Sequence, residues 1–118
     1  GGSAILPTPA IGGVGLLEDW SKSVGIGFKA EGEMIYRIGY PAGHLGQSLW
    51  LQEVGGRRQG APPPVNLDAE RRAADAVRAL IKRGMVTAVH DVSDGGLLVA
   101  VAEMALAGNI GADINIEA

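Results

Sequence analysis

The sequence predicts an α/β domain, α+β in how its elements segregate, with helices layered against a mixed sheet. Three observations carry this. Apolar residues, run together or alternating with polar ones, recur at residues 11–17, 34–38, 85–89 and 114–116, as in strands. Apolar residues at helical spacing recur over residues 67–81 and 96–107. Glycine or proline punctuates most of the joints between these stretches.

Taken in order, Pro7 and Pro9 keep the chain extended before a glycine-rich apolar run, Ile11 to Leu17, that reads as a buried strand ended by Glu18-Asp19. Lys22 to Gly32 is loop-like. Met34 to Ile38 alternates as a second strand, and Pro41, Gly43 and Gly46 break the chain after it. Leu49, Trp50, Leu51 and Val54 predict a short helix from about Gln47, stopped by Gly55-Gly56. Residues 55–65, with three consecutive prolines, form an exposed loop stiffened as polyproline II.

Asn66 is a good N-cap, and Asp68 and Glu70 complement the helix dipole in the turn that follows. Leu67, Ala74, Val77, Leu80 and Ile81 form the apolar stripe of a long helix, Asp68 and Arg72 are spaced to pair on its exposed side, and Lys82, Arg83 and Gly84 end it. Met85 to Val89 reads as a strand. Ser93 or Asp94 would cap the next helix, about Gly96 to Ala107, which is apolar on nearly every face and carries only Glu103 as a charge. Such a helix is expected to be buried. Gly108 ends it, and Ile114 and Ile116 alternate with Asn115 and Glu117 in a last strand.

With 118 residues the chain suffices for one modest domain. Aromatic residues make up 4%, so aliphatic side chains and alanine must build the core. A net charge of -3, with no basic cluster longer than a pair such as Arg57-Arg58, gives no electrostatic footprint for nucleic acid or anionic membrane. The absence of cysteine excludes disulfides, thiolate chemistry and cysteine metal sites, and suits the cytoplasm. No stretch approaches the roughly 18 apolar residues of a membrane span, and the N-terminus lacks the basic flank of a signal peptide. Gly1-Gly2-Ser3 reads equally as native loop or as a leftover of cloning.

The chemistry concentrates at Ser93-Asp94-Gly95-Gly96, between a strand and a helix. The first amides of a helix lack internal partners and its dipole favours an anion there. Gly95 and Gly96 would admit a phosphate close to the backbone, and the Ser93 hydroxyl could donate to it. Asp94 would repel phosphate unless it holds a metal, accepts a substrate hydroxyl or caps the helix. The plainer alternative is that Ser93 and Asp94 only cap a core helix while the glycines serve packing. His90 and Asp91, at a strand's carboxyl end, could shuttle a proton, but neighbours on a strand face opposite sides, so the two are not expected to pair. A hydrogen-bonding role in the structure suits His90 as well. His44 sits in a loop. Gly13-Val14-Gly15 and Gly25-Ile26-Gly27 precede no helix and fail as dinucleotide loops, while Trp20 and Trp50 read as packing residues. No catalytic residue and no metal ligand is identified.

The run from Pro7 to Asp19 (PTPAIGGVGLLED) and that from His90 to Met104 (HDVSDGGLLVAVAEM) resemble the synthetase subunit (subunit II) family of phosphoribosylformylglycinamidine synthase. So do His44-Leu45-Gly46-Gln47-Ser48 and Gly60-Ala61-Pro62-Pro63-Pro64-Val65-Asn66-Leu67, and the likeness runs in order from Ala4 to Ala118. That family shares an ATP-binding superfamily with aminoimidazole ribonucleotide synthetase. Its chains have two tandem halves, each an N-terminal-type domain followed by an α/β C-terminal-type domain.

The resemblance implies that residues 1–19 hold the final strand of an N-terminal-type domain. Residues 20–118 would then be an incomplete C-terminal-type domain of the second half. It implies a carbon–nitrogen ligase of purine biosynthesis that uses ATP and Mg2+ to convert formylglycinamide ribonucleotide to its amidine with glutamine-derived ammonia. A glutaminase subunit and a small bridging subunit are the implied partners. The family's catalytic histidine, nucleotide-binding lysine and metal-binding Gly-Asn segment match nothing in this chain. Only Ser93, Asp94, Gly95 and Gly96 carry over, as a contact to substrate or nucleotide phosphate, and neither ATP nor Mg2+ is expected to bind this piece tightly. The piece is expected to lack activity by itself, to expose apolar surface and to self-associate, and Gly95→Val is expected to weaken binding more than stability. Two alternatives are a selenophosphate synthetase-like or hydrogenase-maturation-like member of the superfamily, against which the Gly-Ala-Pro-Pro-Pro-Val loop speaks, and a non-catalytic binding or scaffold module.

Overall fold

A computed structural model describes residues 8–39 and 43–115. The expectations for Gly1-Gly2-Ser3, for residues 4–7, for Pro41 and for Ile116 and Glu117 lie outside the described residues. Among the described residues, a 3-10 turn, Trp20–Lys22, is followed by three helices: α1 (Leu49–Glu53), α2 (Leu67–Lys82) and α3 (Gly96–Gly108).

Local signals account for the helices. Ser48 caps α1 by accepting from the Leu51 amide at 3.1 Å, and the helix is shorter at both ends than the apolar spacing predicts. Asn66 caps α2 by accepting from the Ala69 amide at 3.0 Å, with Asp68 and Glu70 in the first turn. At its other end Gly84, at φ 64°, donates to the Ile81 carbonyl at 2.9 Å, and Met85 donates to Leu80 at 3.0 Å. This pair of bonds is the Schellman ending that glycine permits. The α3 helix ends the same way on Asn109, at φ 52°, with Asn109 donating to Leu106 and Ile110 to Ala105. Gly108 is thus the last helical residue, and the left-handed terminator is Asn109.

Two details of α2 are corrected. Its half-buried face is Ala69, Ala73, Val77, Leu80 and Ile81, while Leu67 and Ala74 are exposed, because the face is set by what lies beneath it. Its ion pair is Asp75 with Arg78, one turn apart, in place of Asp68 with Arg72.

The predicted sheet is reduced to one parallel bridge between Gly25 and Ala88, in which Val89 donates to the Gly25 carbonyl at 3.0 Å. The link between these residues runs through α2, as parallel pairing requires a long crossover. Among the described residues, 11–17, 34–38 and 85–89 form no regular strand, nor does the described part of 114–116. A strand needs a neighbour to satisfy its amides and carbonyls, and residues 8–17 are exposed throughout, with Ile11 at 90% and Leu16 at 95%.

The small core lies where residues 25–28 cross α3. Phe28 donates to the Met104 carbonyl at 3.2 Å. A Cβ on Gly27 would come within 2.8 Å of the Ala107 carbonyl carbon, and one on Gly108 would run into the Phe28 backbone. Both glycines therefore answer a close approach of two backbones. Ala100 and Val101 are the buried apolar residues of α3, but Leu98 and Leu106 are exposed. The expectation that this helix is buried all round is not met, because the described residues cover only one side of it.

Candidate functional site

The end of the 85–90 segment meets the middle of α3 at His90. Its Nε2 lies 3.0 Å from Glu103 Oε2 and its Nδ1 lies 3.2 Å from Asp91 Oδ1, and the ring is only 12% exposed. The neutral imidazole has one donor and one acceptor, whereas the imidazolium can donate to both carboxylates at once. The pairing of His90 with Asp91 overturns the expectation that they face apart. No strand pairing reaches residues 90 and 91, so nothing holds the two side chains to opposite faces.

The Asp91 carboxyl is held below the usual aspartate range by the hydrogen bond from its own backbone amide, and further by those from His90 and Ser93. Ser93 in turn opens a β-turn: its carbonyl accepts from the Gly96 amide at 3.1 Å, and Gly95 has the φ of 82° and ψ of -10° of a type II third residue. Contacts thus join Glu103, His90 and Asp91, and two residues further on the Ser93 carbonyl holds the Gly96 amide at the start of α3.

The Ser93–Gly96 site residues fall together at the head of α3 but in roles that differ from those expected. Neither Ser93 nor Asp94 caps the helix: the N-cap is Gly95, in the left-handed region, and no side chain accepts from the first turn. The reason is geometric, since a type II turn drives the chain into the helix through a positive φ that a β-region Ser or Asp cap cannot share. The two glycines also differ. A Cβ on Gly95 would come within 2.5 Å of Val99 Cγ2, so that site is filled, whereas a Cβ on Gly96, at φ 75°, would meet open space. With the Gly96 amide committed to Ser93, the amides of Leu97 and Leu98 remain without an intrahelical acceptor. They are donors that an anion at this helix start would find.

An open groove beside the turn is lined by Ile26, His90, Ser93, Glu103, Leu106 and Ala107. Among the described residues no three His, Asp or Glu side chains are grouped to hold a metal ion. Glu103 was not among the predicted site residues. Its signal was present in the sequence as the single charge on an otherwise apolar helix. His44, by contrast, binds the Ala61 carbonyl at 2.6 Å while Gln47 Nε2 donates to the Gly60 carbonyl at 2.7 Å, so this motif pins one loop to another.

Residues 30–118 match the family described as AIR synthase related protein, C-terminal domain. The chain is similar to proteins named phosphoribosylformylglycinamidine synthase subunit PurL. It is 62% identical to that of Rhodopseudomonas palustris (strain TIE-1) over 97% of this chain and 16% of the relative. It is also 62% identical to that of Nitrobacter hamburgensis over 97% of this chain and 15% of the relative. For Bradyrhizobium sp. (strain BTAi1) the identity is 63% over 94% of this chain and 15% of the relative. The chain therefore spans about one sixth of the length of these relatives. No solved structure gives a significant match. No described helix is long and apolar enough to cross a membrane.

Proposed function

The chain belongs to the AIR synthase related protein, C-terminal domain family, and from that premise we propose that it is a segment of the synthetase subunit of phosphoribosylformylglycinamidine synthase. The observation that carries the reading is identity of 62% along nearly the whole chain to proteins of that name, in one collinear block. In the complete polypeptide, residues 1–19 end an N-terminal-type domain and residues 20–118 begin the next C-terminal-type domain, whose layered mixed sheet forms once further strands flank the bridge between Gly25 and Ala88. The activity is an ATP-dependent amidation in purine biosynthesis. It works in the cytoplasm with a glutaminase subunit that supplies ammonia and a small bridging subunit.

When bound, ATP with Mg2+ supplies the phosphoryl group that activates the amide oxygen of formylglycinamide ribonucleotide. This chain's own part is narrower. The amides of Leu97 and Leu98, the Ser93 hydroxyl once it turns from Asp91 to the ligand, and the open space before Gly96 suit one phosphate at the head of α3. The carboxylates of Asp91 and Asp94 sit close by in sequence and would keep the rest of an anion at a distance. No acid, base or nucleophile is assigned here, and the donor set offers no metal site.

The test is direct. The complete polypeptide supplied with ATP, Mg2+, ammonia and formylglycinamide ribonucleotide should form the amidine, and the 118-residue chain alone should form none. Turnover by the chain alone would overturn the reading of it as a segment. For the turn, Gly96→Ala in the complete polypeptide should weaken a phosphate-bearing ligand by about tenfold, the equivalent of ~1.4 kcal/mol. Unchanged affinity would remove the phosphate from this place.

A further inference from the structure

We infer that Glu103 and His90 are positioning residues that brace the Ser93–Gly96 turn in the form that faces phosphate. The inference rests on the reading of that turn given above. Glu103 lies on α3 about two turns beyond the helix start, and His90 lies three residues before the turn. The His90 ring bridges them, with Nε2 3.0 Å from Glu103 and Nδ1 3.2 Å from Asp91. Two residues beyond Asp91, the Ser93 carbonyl accepts from the Gly96 amide at 3.1 Å, which opens the turn into the helix. The segment that enters the turn is thereby held against the middle of the helix that leaves it.

Three further facts favour a brace over a solvated surface charge. Glu103 is the one charged side chain of α3, whose other twelve residues are Gly, Ala, Val, Leu and Met. The His90 ring is largely covered although its two partners are about half or more exposed. Capping does not hold the turn, since no side chain accepts from the first turn of α3. Without the brace, the link between residue 90 and the helix is left to a two-glycine turn with wide conformational freedom. Ordering such a turn only when ligand arrives costs affinity, and ordering it beforehand restores it. His90, Ser93 and Glu103 line one open groove, so the brace and the turn share a surface.

The experiment uses the complete polypeptide and two probes, ATP and formylglycinamide ribonucleotide, titrated separately so that the source of the phosphate is identified. Glu103→Leu keeps side-chain bulk and removes the acceptor; Glu103→Gln keeps an acceptor without the charge. The expected result is about a tenfold loss of affinity for one probe in Glu103→Leu, the scale of a hydrogen bond to a charged group, with most of it regained in Glu103→Gln. A double-mutant cycle of Glu103→Leu with His90→Gln should show coupling in ligand affinity, which a purely structural contact would show only in thermal stability. Should Glu103→Leu fail to fold, His90→Gln breaks the same contacts and is read the same way. Affinities within twofold of the parent protein, while Gly96→Ala still lowers one, would overturn the brace and leave the phosphate reading standing. No effect of Gly96→Ala on either probe would overturn both.

Discussion

Gly95 holds a φ of 82° with Val99 packed where its side chain would be, and this changes what a substitution there reports. A β-branched residue meets left-handed strain together with a clash, so Gly95→Val should cost about 2–4 kcal/mol of stability, read by urea or thermal unfolding. Its effect on ligand binding is then secondary, opposite to the ranking expected from sequence. Gly96 has open space before it and so escapes the clash, but its φ of 75° gives Gly96→Ala left-handed strain of about 1 kcal/mol, so its affinity is read beside its unfolding. Asp91 makes a second prediction. Its carboxyl is depressed in the folded chain, so the native state binds the proton less readily than the unfolded state does. The stability this adds is complete above the ordinary aspartate value near 3.9 and is lost as pH falls through the lower native one. Asp91→Asn should therefore flatten the stability curve in that acid window and leave its slope above about pH 5 unchanged; an unchanged acid limb would contradict the role. The turn at residues 93–96 was legible because its glycines and polar residues are adjacent in sequence. The Glu103 contact was not, because it joins residues thirteen apart through a fold that sequence spacing does not state.

The helices show why some elements could be read and others could not. Capping and termination are chemistry within a few residues: Asn66 and Gly84 each do what their type and position predict, while Ser48, expected inside α1, caps it instead. Asn66→Ala should accordingly cost about 1 kcal/mol, and Gly84→Ala about 1 kcal/mol through left-handed strain. Chemical denaturation measures both, and a neutral Asn66→Ala would mean that α2 is held by packing alone. Strands behave otherwise. Residues 34–38 and 85–89 have the alternation of strands, but alternation states only which face would be apolar. Pairing must come from a neighbour, and of the expected sheet only the Gly25 and Ala88 bridge finds one. The backbone contact of Gly27 and Phe28 with the end of α3 was likewise unreadable, since a glycine in a loop does not disclose what approaches it. Gly27→Ala is expected to destabilise by about 1–3 kcal/mol through overpacking.

At the scale of the whole molecule, surface area decides the matter. A compact monomer of this mass, 12.1 kDa, exposes about 6,000 Å², and this chain exposes 10385 Å². Its radius of gyration is 17.6 Å, against about 13.5 Å for a compact chain of this length. The excess of about 4,400 Å² is on the scale of an obligate interface, not of a transient one. Much of it is apolar, since Ile11, Val14, Leu16, Trp20, Met34, Tyr36 and Leu106 all stand more than two-thirds exposed. In a polypeptide six times longer the remaining chain would lie over these residues, which is why an apolar α3 is consistent with the complete protein and exposed here. Deprived of that cover, the 118-residue chain must hide the surface in another way. It should bind the dye ANS strongly, and light scattering should show its mean mass rising with concentration through the micromolar range. Adding the flanking chain should suppress both effects together. A dye-free, strictly monomeric chain at high concentration would mean that it rearranges to bury its own apolar residues, and the open arrangement described for α3 would then not persist in solution.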